Sequence, residues 1–137
     1  MKITQLTVFL ENRSGRLAEI ADILGRNGVN IRGFSTTEAA EYGIVRLIVP
    51  DPARARELLH DAGFTTHLTQ VICVAVPDEP GGLARVLDTL AGQGVSVDYL
   101  YSISFNNVCF AVHDVDGAVE LLKDKVTLLA DEDVITL

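Results

Sequence analysis

The chain carries one segment twice, and this repeat limits its possible fold more than any other feature. The stretch VFLENRSGRLAEIADILGRNGVNI, residues 8–31, aligns with VAVPDEPGGLARVLDTLAGQGVSV, residues 74–97, at a constant offset of 66. Identical residues meet at several positions, including Gly15 with Gly81. Further along, DPARARELL resembles DVDGAVELL at an offset of 63. A period of this length indicates two copies of one structural unit.

Hydrophobic periodicity predicts the order β-α-β-β-α-β in each copy. In the first copy, alternating apolar residues predict a strand over 3–10, and apolar residues spaced i, i+3, i+4, i+7 from Leu17 predict an amphipathic helix. Asp51 as N-cap, followed by Pro52, predicts the start of a second helix. The remaining predicted elements are a hairpin over 30–37 and 44–49 and a strand over 64–70 in the first copy, then strand 71–76, helix 82–93, strands 96–104 and 108–113, helix 116–125 and strand 126–136 in the second.

This order predicts an α+β fold, the ferredoxin-like βαββαβ unit repeated twice, with antiparallel sheets and the helices on one face. We place the first domain at residues 1–70 and the second at 71–137, with no Pro/Gly/Ser-rich linker between them. On the opposite sheet face, alternation places Phe9 in the first copy and Val71 and Cys73 in the second. Because a sheet face in water is usually polar, these side chains predict a covering partner, and we expect a homodimer.

The charge of the chain argues against nucleic-acid binding. Through Thr66 the chain has eight Lys/Arg and eight Asp/Glu, and from His67 onward it has three Lys/Arg and eleven Asp/Glu. The second copy therefore carries the whole net charge of −8. A phosphate backbone repels such a surface. RNA-binding RRM domains share the βαββαβ order, but the strands that would stack bases here, IVRLIV and VCFAVH, hold one aromatic ring between them.

Cysteine and histidine usage bears on compartment and cofactors. Cys73 and Cys109 stand alone within apolar stretches, which predicts buried cysteines in a reducing compartment rather than a disulfide framework or a metal site. His60, His67 and His113 are not spaced as metal ligands. The chain has no bilayer-spanning apolar run and no signal-peptide pattern. We therefore expect a cytoplasmic protein with no cofactor. The sequence contains neither a catalytic triad nor a phosphate loop, so we do not expect an enzyme.

The segment ENRSG, residues 11–15, joins the first strand to the first helix and is more polar than a connector requires. Helix N-termini favour carboxylates, glycine at position 15 permits close backbone approach, and Asn12 offers both a donor and an acceptor. The alternative is that Ser14 or Asn12 only caps the helix. Taken with the element order and with GVNI after the helix, ENRSG resembles the ACT domain, a module that senses small molecules. The first copy is especially similar to the regulatory domain of 3-phosphoglycerate dehydrogenase.

The resemblance covers the whole chain as two tandem ACT domains, and it implies amino-acid binding at the interface between paired domains. It implies contacts from the turn after the first strand, through backbone groups and through Asn12, and from Asn30 of a paired domain or neighbouring strand. The candidate ligand-binding residues are Asn12, Arg13, Ser14, Gly15, Arg16, Leu17, Asn30 and Ile31 in the first copy, and Asp78, Gly81, Gly82, Leu83 and Ser96 in the second.

The sequence departs from the family pattern in both copies. Leu10 stands where serine-binding relatives have a histidine, which favours an aromatic or branched-chain amino acid as ligand. In the second copy Asp78 replaces Asn12, and Pro77 and Pro80 remove backbone donors, so that site is expected to be weaker, altered or structural. We predict a non-enzymatic regulatory protein that binds a free amino acid. The alternative is a ligand-free, dimerising regulatory subunit of a metabolic enzyme.

Overall fold

The computed structural model describes residues 1–11, 14–38, 42–104 and 106–135. Over these ranges the elements are β1 (Ile3–Glu11), α1 (Arg16–Arg26), β2 (Gly33–Glu38), β3 (Tyr42–Ile48), α2 (Pro52–Asp61), β4 (Thr65–Ala75), α3 (Gly82–Gly92), β5 (Val97–Ser104), β6 (Asn107–Val112), α4 (Val115–Leu122), β7 (Thr127–Leu128) and α5 (Asp131–Ile135). The order β-α-β-β-α-β occurs twice, with the continuous strand β4 in place of the two strands predicted over 64–70 and 71–76, and the short helix α5 follows it.

The chain divides into two units. The first unit is Thr4–Thr69, and the second is Met1–Ile3 together with Gln70–Leu137. The sequence instead places the division between residues 70 and 71 and assigns Met1–Ile3 to the first copy. The strand order is β2-β3-β1-β4 in the first unit, and in the second β6 and β7 flank β4, with β5 beyond β6. The pairs β1–β3, β2–β3, β4–β6, β4–β7 and β5–β6 are antiparallel, which confirms the repeated ferredoxin-like fold.

The first unit has its core between one sheet face and two helices. The register of β1 and β3 pairs Leu6 with Leu47 and Val8 with Val45, so four apolar side chains share that face. The buried residues of α1 and α2 belong to the same cluster, which places both helices on the predicted face. As predicted, Asp51 caps α2: its carboxylate accepts the N–H of residue 54 at 3.2 Å.

The second unit repeats this arrangement. Ile72 pairs with Phe110 and Val74 with Val108 across β4 and β6, and the buried residues of α3 and α4 complete the cluster. Asp114 caps α4, since its carboxylate accepts the N–H of residue 117 at 3.0 Å. The cap therefore recurs at the 63-residue offset that the sequence predicted.

The strand predicted over 126–136 is wrong beyond its first residues. Strand pairing covers Thr127–Leu128, and α5 begins at Asp131. The Asp133 carboxylate accepts the N–H of Ala130 at 2.8 Å, as a residue in the first turn does when it caps a helix. Three consecutive acidic residues at the start of α5 also suit the partial positive charge of a helix N-terminus.

The argument for a covering partner also needs correction in the second unit. Val71 and Cys73 are fully buried in the single chain, so they do not require a second copy to cover them. Phe9 is partly exposed, and its ring lies 6.4 Å from that of Tyr42. Homodimerisation thus stays a prediction. Across the described residues, no helix is long and apolar enough to cross a membrane.

Candidate functional site

The turn between β1 and α1 is the first candidate ligand-binding region. Gly15 is the N-cap of α1 and adopts φ +88°, a left-handed conformation that only glycine reaches without strain. Because the N-cap is a glycine, it offers no side-chain acceptor to the first N–H groups of the helix. Ser14 and Gly15 are exposed, and Ser14 is not the N-cap. Asn12 and Arg13 lie outside the described residues.

The first two residues of α1 point their side chains to different surroundings. The Arg16 guanidinium carbon lies 4.1 Å from the centre of the Phe64 ring, and one of its nitrogens pairs with Glu19 at 2.9 Å. Arg16 therefore packs on its own unit and leaves its backbone as the part available to the turn. Leu17 is 50% exposed beside the turn, and its counterpart Leu83 is 40% exposed in the second copy.

The other candidates of the first copy lie at the far end of α1. Asn30 and Ile31 follow the C-terminus of the helix, whereas Gly15 precedes its N-terminus. Eleven helical residues rise about 16 Å, so one unit does not bring Asn30 and the turn together. Asn30 is exposed, and Ile31 packs partly against the core.

The corresponding turn of the second copy is closed by its own hydrogen bonds. Gly81 is again left-handed, with φ +82°. The N–H of Gly82 donates to the carbonyl of Glu79 at 2.9 Å, and the N–H of Glu79 donates to the carbonyl of Pro77 at 2.9 Å. The Glu79 carboxylate also forms an ion pair with Arg85. The first N–H of α3 is thus already used within the turn.

The β5–β6 hairpin holds the start of this second turn. The side-chain amide of Asn106 donates to the carbonyl of Val76 at 2.9 Å, and the N–H of Val76 donates to the carbonyl of Asn106 at 2.7 Å. Asp78 and Leu83 are exposed on the turn. Ser96 lies beyond the far end of α3, as Asn30 does in the first copy.

Ser96 lines a cleft of about 470 Å³ that the sequence did not predict. Asp98, His113 and Leu121 also line it, and Gly117 contributes no side chain to its wall. The available signal was Gly117 itself, which stands where the first copy has Arg54 at the 63-residue offset. Among the described residues, no group of three or more His, Cys, Asp or Glu side chains is arranged to hold a metal ion.

These features define a class of protein: a tandem pair of ferredoxin-like domains, each with a left-handed glycine ahead of its first helix. A family model described as an ACT domain pair matches residues 1–137. The chain therefore belongs to the ACT domain pair family, and the resemblance noted in its sequence is confirmed.

Solved structures share this fold. The chain is similar to protein BT0572 from Bacteroides thetaiotaomicron, with 40% sequence identity, a TM-score of 0.93, and coverage of 100% of this chain and 98% of that one. It is similar in fold to the regulatory subunit of aspartate kinase from Thermus thermophilus, with 13% identity, a TM-score of 0.65, and coverage of 88% and 91%. The corresponding subunit from Thermus flavus gives 14% identity, a TM-score of 0.61, and coverage of 88% and 90%. Among curated proteins, none matches the sequence.

Proposed function

We propose that this chain is a regulatory protein that binds a free amino acid at the turn between β1 and α1 of its first copy. The observation that carries the proposal is the exposed start of α1, with the left-handed Gly15 ahead of it and the half-exposed Leu17 beside it. In the second turn the N–H of Gly82 donates to the carbonyl of Glu79, and the Glu79 carboxylate is paired with Arg85. The first turn presents exposed Ser14 and Gly15 ahead of a helix N-terminus. A helix N-terminus favours a carboxylate, which every amino acid carries.

The ligand side chain that fits this turn is aromatic or branched. Leu10 packs partly against the first core, where it offers no hydrogen bond to a hydroxyl-bearing ligand. Leu17, half exposed beside the turn, supplies an apolar contact. Burying such a contact against an aliphatic or aromatic ligand favours binding by about 25 cal/mol per Å² of apolar surface.

The proposed site needs a second ACT unit, because Asn30 lies at the far end of α1 from Gly15. We propose that a second copy of the chain completes the site in a cytoplasmic homodimer. Two edge strands support this: β2 ends the first sheet with Phe34 68% exposed, and β5 ends the second with Leu100 42% exposed at the matching repeat position. Unpaired edges with exposed apolar side chains are sites of strand pairing. The role is binding and regulation, not catalysis.

The second candidate function is a ligand-free, dimerising regulatory subunit of a metabolic enzyme. The closed turn of the second copy favours it, since that copy already satisfies the N–H of Gly82 internally. The two candidates share the fold and the dimer, and they differ only in whether an amino acid binds.

A thermal-denaturation screen against the common amino acids, followed by calorimetric titration, tests the first proposal. A ligand at one hundred times its dissociation constant stabilises the folded state by about 2.7 kcal/mol, which a melting curve resolves. The repeat supplies matched variants. Leu17→Ser and Asn30→Ala should abolish the shift, whereas Leu83→Ser and Ser96→Ala, at the same positions of the second copy, should retain it.

Two outcomes would count against the proposal. If no amino acid raises the melting temperature, the ligand-free subunit is the better account. If the second-copy variants abolish the shift and the first-copy variants do not, the site has been assigned to the wrong turn. Sedimentation equilibrium tests the dimer separately, and the mass of a single chain at micromolar concentration would exclude it.

A further inference from the structure

The second unit contains a cleft beside the turn that precedes α3, and Pro77 of that turn lines it. It lies between α3 and the start of β7 and has a volume of about 330 Å³; we call it the α3–β7 cleft. Its apolar wall includes Val86 and Val126, and its polar rim includes Arg85, Lys125 and Thr127. All of these residues belong to the second unit.

The cleft lies where the first copy has a buried aromatic ring. In the first unit, Arg16 covers the buried ring of Phe64. At the 66-residue offset, Arg16 becomes Gly82, and Pro77 lies against the place that a side chain there would take.

Val126 is the counterpart of Phe64, and backbone hydrogen bonds identify it as such. The N–H of Phe64 donates to the carbonyl of Leu59, and the N–H of Val126 donates to the carbonyl of Leu122, the matching leucine at the 63-residue offset. A smaller side chain therefore stands where the first unit has an aromatic ring, and the space remains open.

The rim of the cleft is positively charged within an acidic half of the chain. From His67 onward there are three cations, Arg85, Lys123 and Lys125, against eleven acidic residues. Two of these three cations line the cleft. Arg85 pairs with Glu79 through one terminal nitrogen, and a guanidinium has five N–H donors. The Thr89 hydroxyl donates to the carbonyl of residue 85 at 2.8 Å, so its proton is used within α3.

We propose that the α3–β7 cleft binds a small organic anion, with a carboxylate between Arg85 and Lys125 and a short branched aliphatic group against Val86 and Val126. Guanidinium and ammonium groups both donate charge-assisted hydrogen bonds to a carboxylate. An α-ammonium group on the ligand would be repelled by the same two cations. The cleft therefore selects carboxylic acids that lack an amino group, and in this it differs from the turn proposed for amino acids.

Amide NMR spectra of the full chain, titrated at constant ionic strength with sodium 3-methylbutanoate, test the proposal. We expect saturable shifts at residues 85–89 and 125–127. The uncharged 3-methylbutanamide and the zwitterion leucine should each bind at this cleft at least about tenfold more weakly. Equal binding of the amide would overturn the role of the cations, and equal binding of inorganic phosphate would overturn that of the apolar wall.

Two variants and one control locate the site. Lys125→Gln should weaken the binding of 3-methylbutanoate by about tenfold. Val126→Phe should block this binding, because it places an aromatic ring in the cleft, as in the first copy. Lys123→Gln removes the same charge two residues away, from a lysine paired with Glu120, and should leave binding unchanged. Equal loss in Lys123→Gln and Lys125→Gln would mean general charge attraction and would overturn the proposal. Leu17→Ser should have no effect here, which separates this site from the amino-acid turn.

Discussion

Cys73 and Cys109 lie directly opposite each other on the antiparallel strands β4 and β6, and both are fully buried as free thiols. The carbonyl of Cys73 accepts the N–H of Leu129 at 2.8 Å, on the β7 side of β4. Since the N–H and C=O of one strand residue point to the same side, Cys73 and Cys109 form a non-hydrogen-bonded pair, in which side chains approach closely. The sequence prediction of buried cysteines is confirmed.

This contact makes stability sensitive to alkaline pH. A hydrogen bond with Cys73, together with burial, raises the pKa of the Cys109 thiol above its ordinary value of 9.0. As pH rises past 9.0, the unfolded chain therefore loses this proton while the folded chain keeps it. The free energy of unfolding should fall above that pH, with a slope approaching about 1.4 kcal/mol per pH unit from this group. Urea unfolding between pH 7 and 10.5 measures the slope.

Cys109→Ala isolates this contribution. Tyrosine and lysine titrations act on both proteins, so only the difference in slope between wild type and variant reports on the thiol. A constant loss of stability from the shortened side chain leaves that comparison intact. Parallel curves for the two proteins above pH 9 would show that Cys109 ionises normally in the folded state.

Arg16 provides a second prediction, because it covers Phe64 and pairs with Glu19 at once. Arg16→Ala should destabilise the protein by about 1–2 kcal/mol, from a lost cation–π contact, a lost ion pair and newly exposed ring surface. Arg26→Ala is the matched control, since Arg26 is exposed in the last turn of the same helix. It should change the free energy of unfolding by no more than about 0.5 kcal/mol. Similar losses of stability in both variants would contradict the stabilising role assigned to Arg16.

The fold was predictable because the repeat and the capping residues agree. Asp51 and Asp114 cap α2 and α4 as their offset requires. Sequence failed at the C-terminus, where the apolar residues of 126–136 suit a strand and the hydrogen bond from Ala130 to Asp133 favours a helix instead. A capping contact of this kind favours the helix over the strand, and such contacts are weak signals in a sequence.

The candidate site was predictable only in part. Gly15 and Gly81 are left-handed glycines and lie in the two polar turns, at the positions that the repeat predicted. The separation of Asn30 from the turn follows from the length of α1 and could be read from sequence. The closure of the second turn could not, because it depends on the backbone path that brings the carbonyls of Pro77 and Glu79 to N–H groups farther along the turn. The α3–β7 cleft was also missed, since it lies where Val126 takes the place of the aromatic ring of the first copy.

The third prediction is that substitution by alanine should change the free energy of unfolding in opposite directions at Gly15 and Gly25. At Gly15, φ is +88° and a Cβ would meet no neighbour within 4 Å, so Gly15→Ala should cost about 1 kcal/mol from backbone strain alone. Gly25 lies within α1 and also has no neighbour within 4 Å, so Gly25→Ala should stabilise the protein by up to about 1 kcal/mol. Chemical denaturation measures both. Equal effects would show that the left-handed turn is not maintained in solution.

Gly82 and Gly92, at the two ends of α3, test the closed turn of the second copy. A Cβ on Gly82 would overlap the carbonyl oxygen of Pro77, which also accepts the N–H of Glu79. Gly82→Ala should therefore cost at least about 2 kcal/mol, because relieving the overlap displaces a hydrogen-bonded backbone. A Cβ on Gly92 would have no neighbour within 4 Å, so Gly92→Ala should be neutral or should stabilise the protein by up to about 1 kcal/mol.

Amide hydrogen exchange adds a second readout for Gly82→Ala. Loss of the hydrogen bonds from Glu79 to Pro77 and from residue 82 to Glu79 should raise exchange at these two amides, while Leu90, in the buried part of α3, keeps its protection. If Gly82→Ala is as stable as wild type and the turn exchanges no faster, the second turn is not closed. In that case the internal hydrogen bonds of the second turn no longer argue against a ligand there.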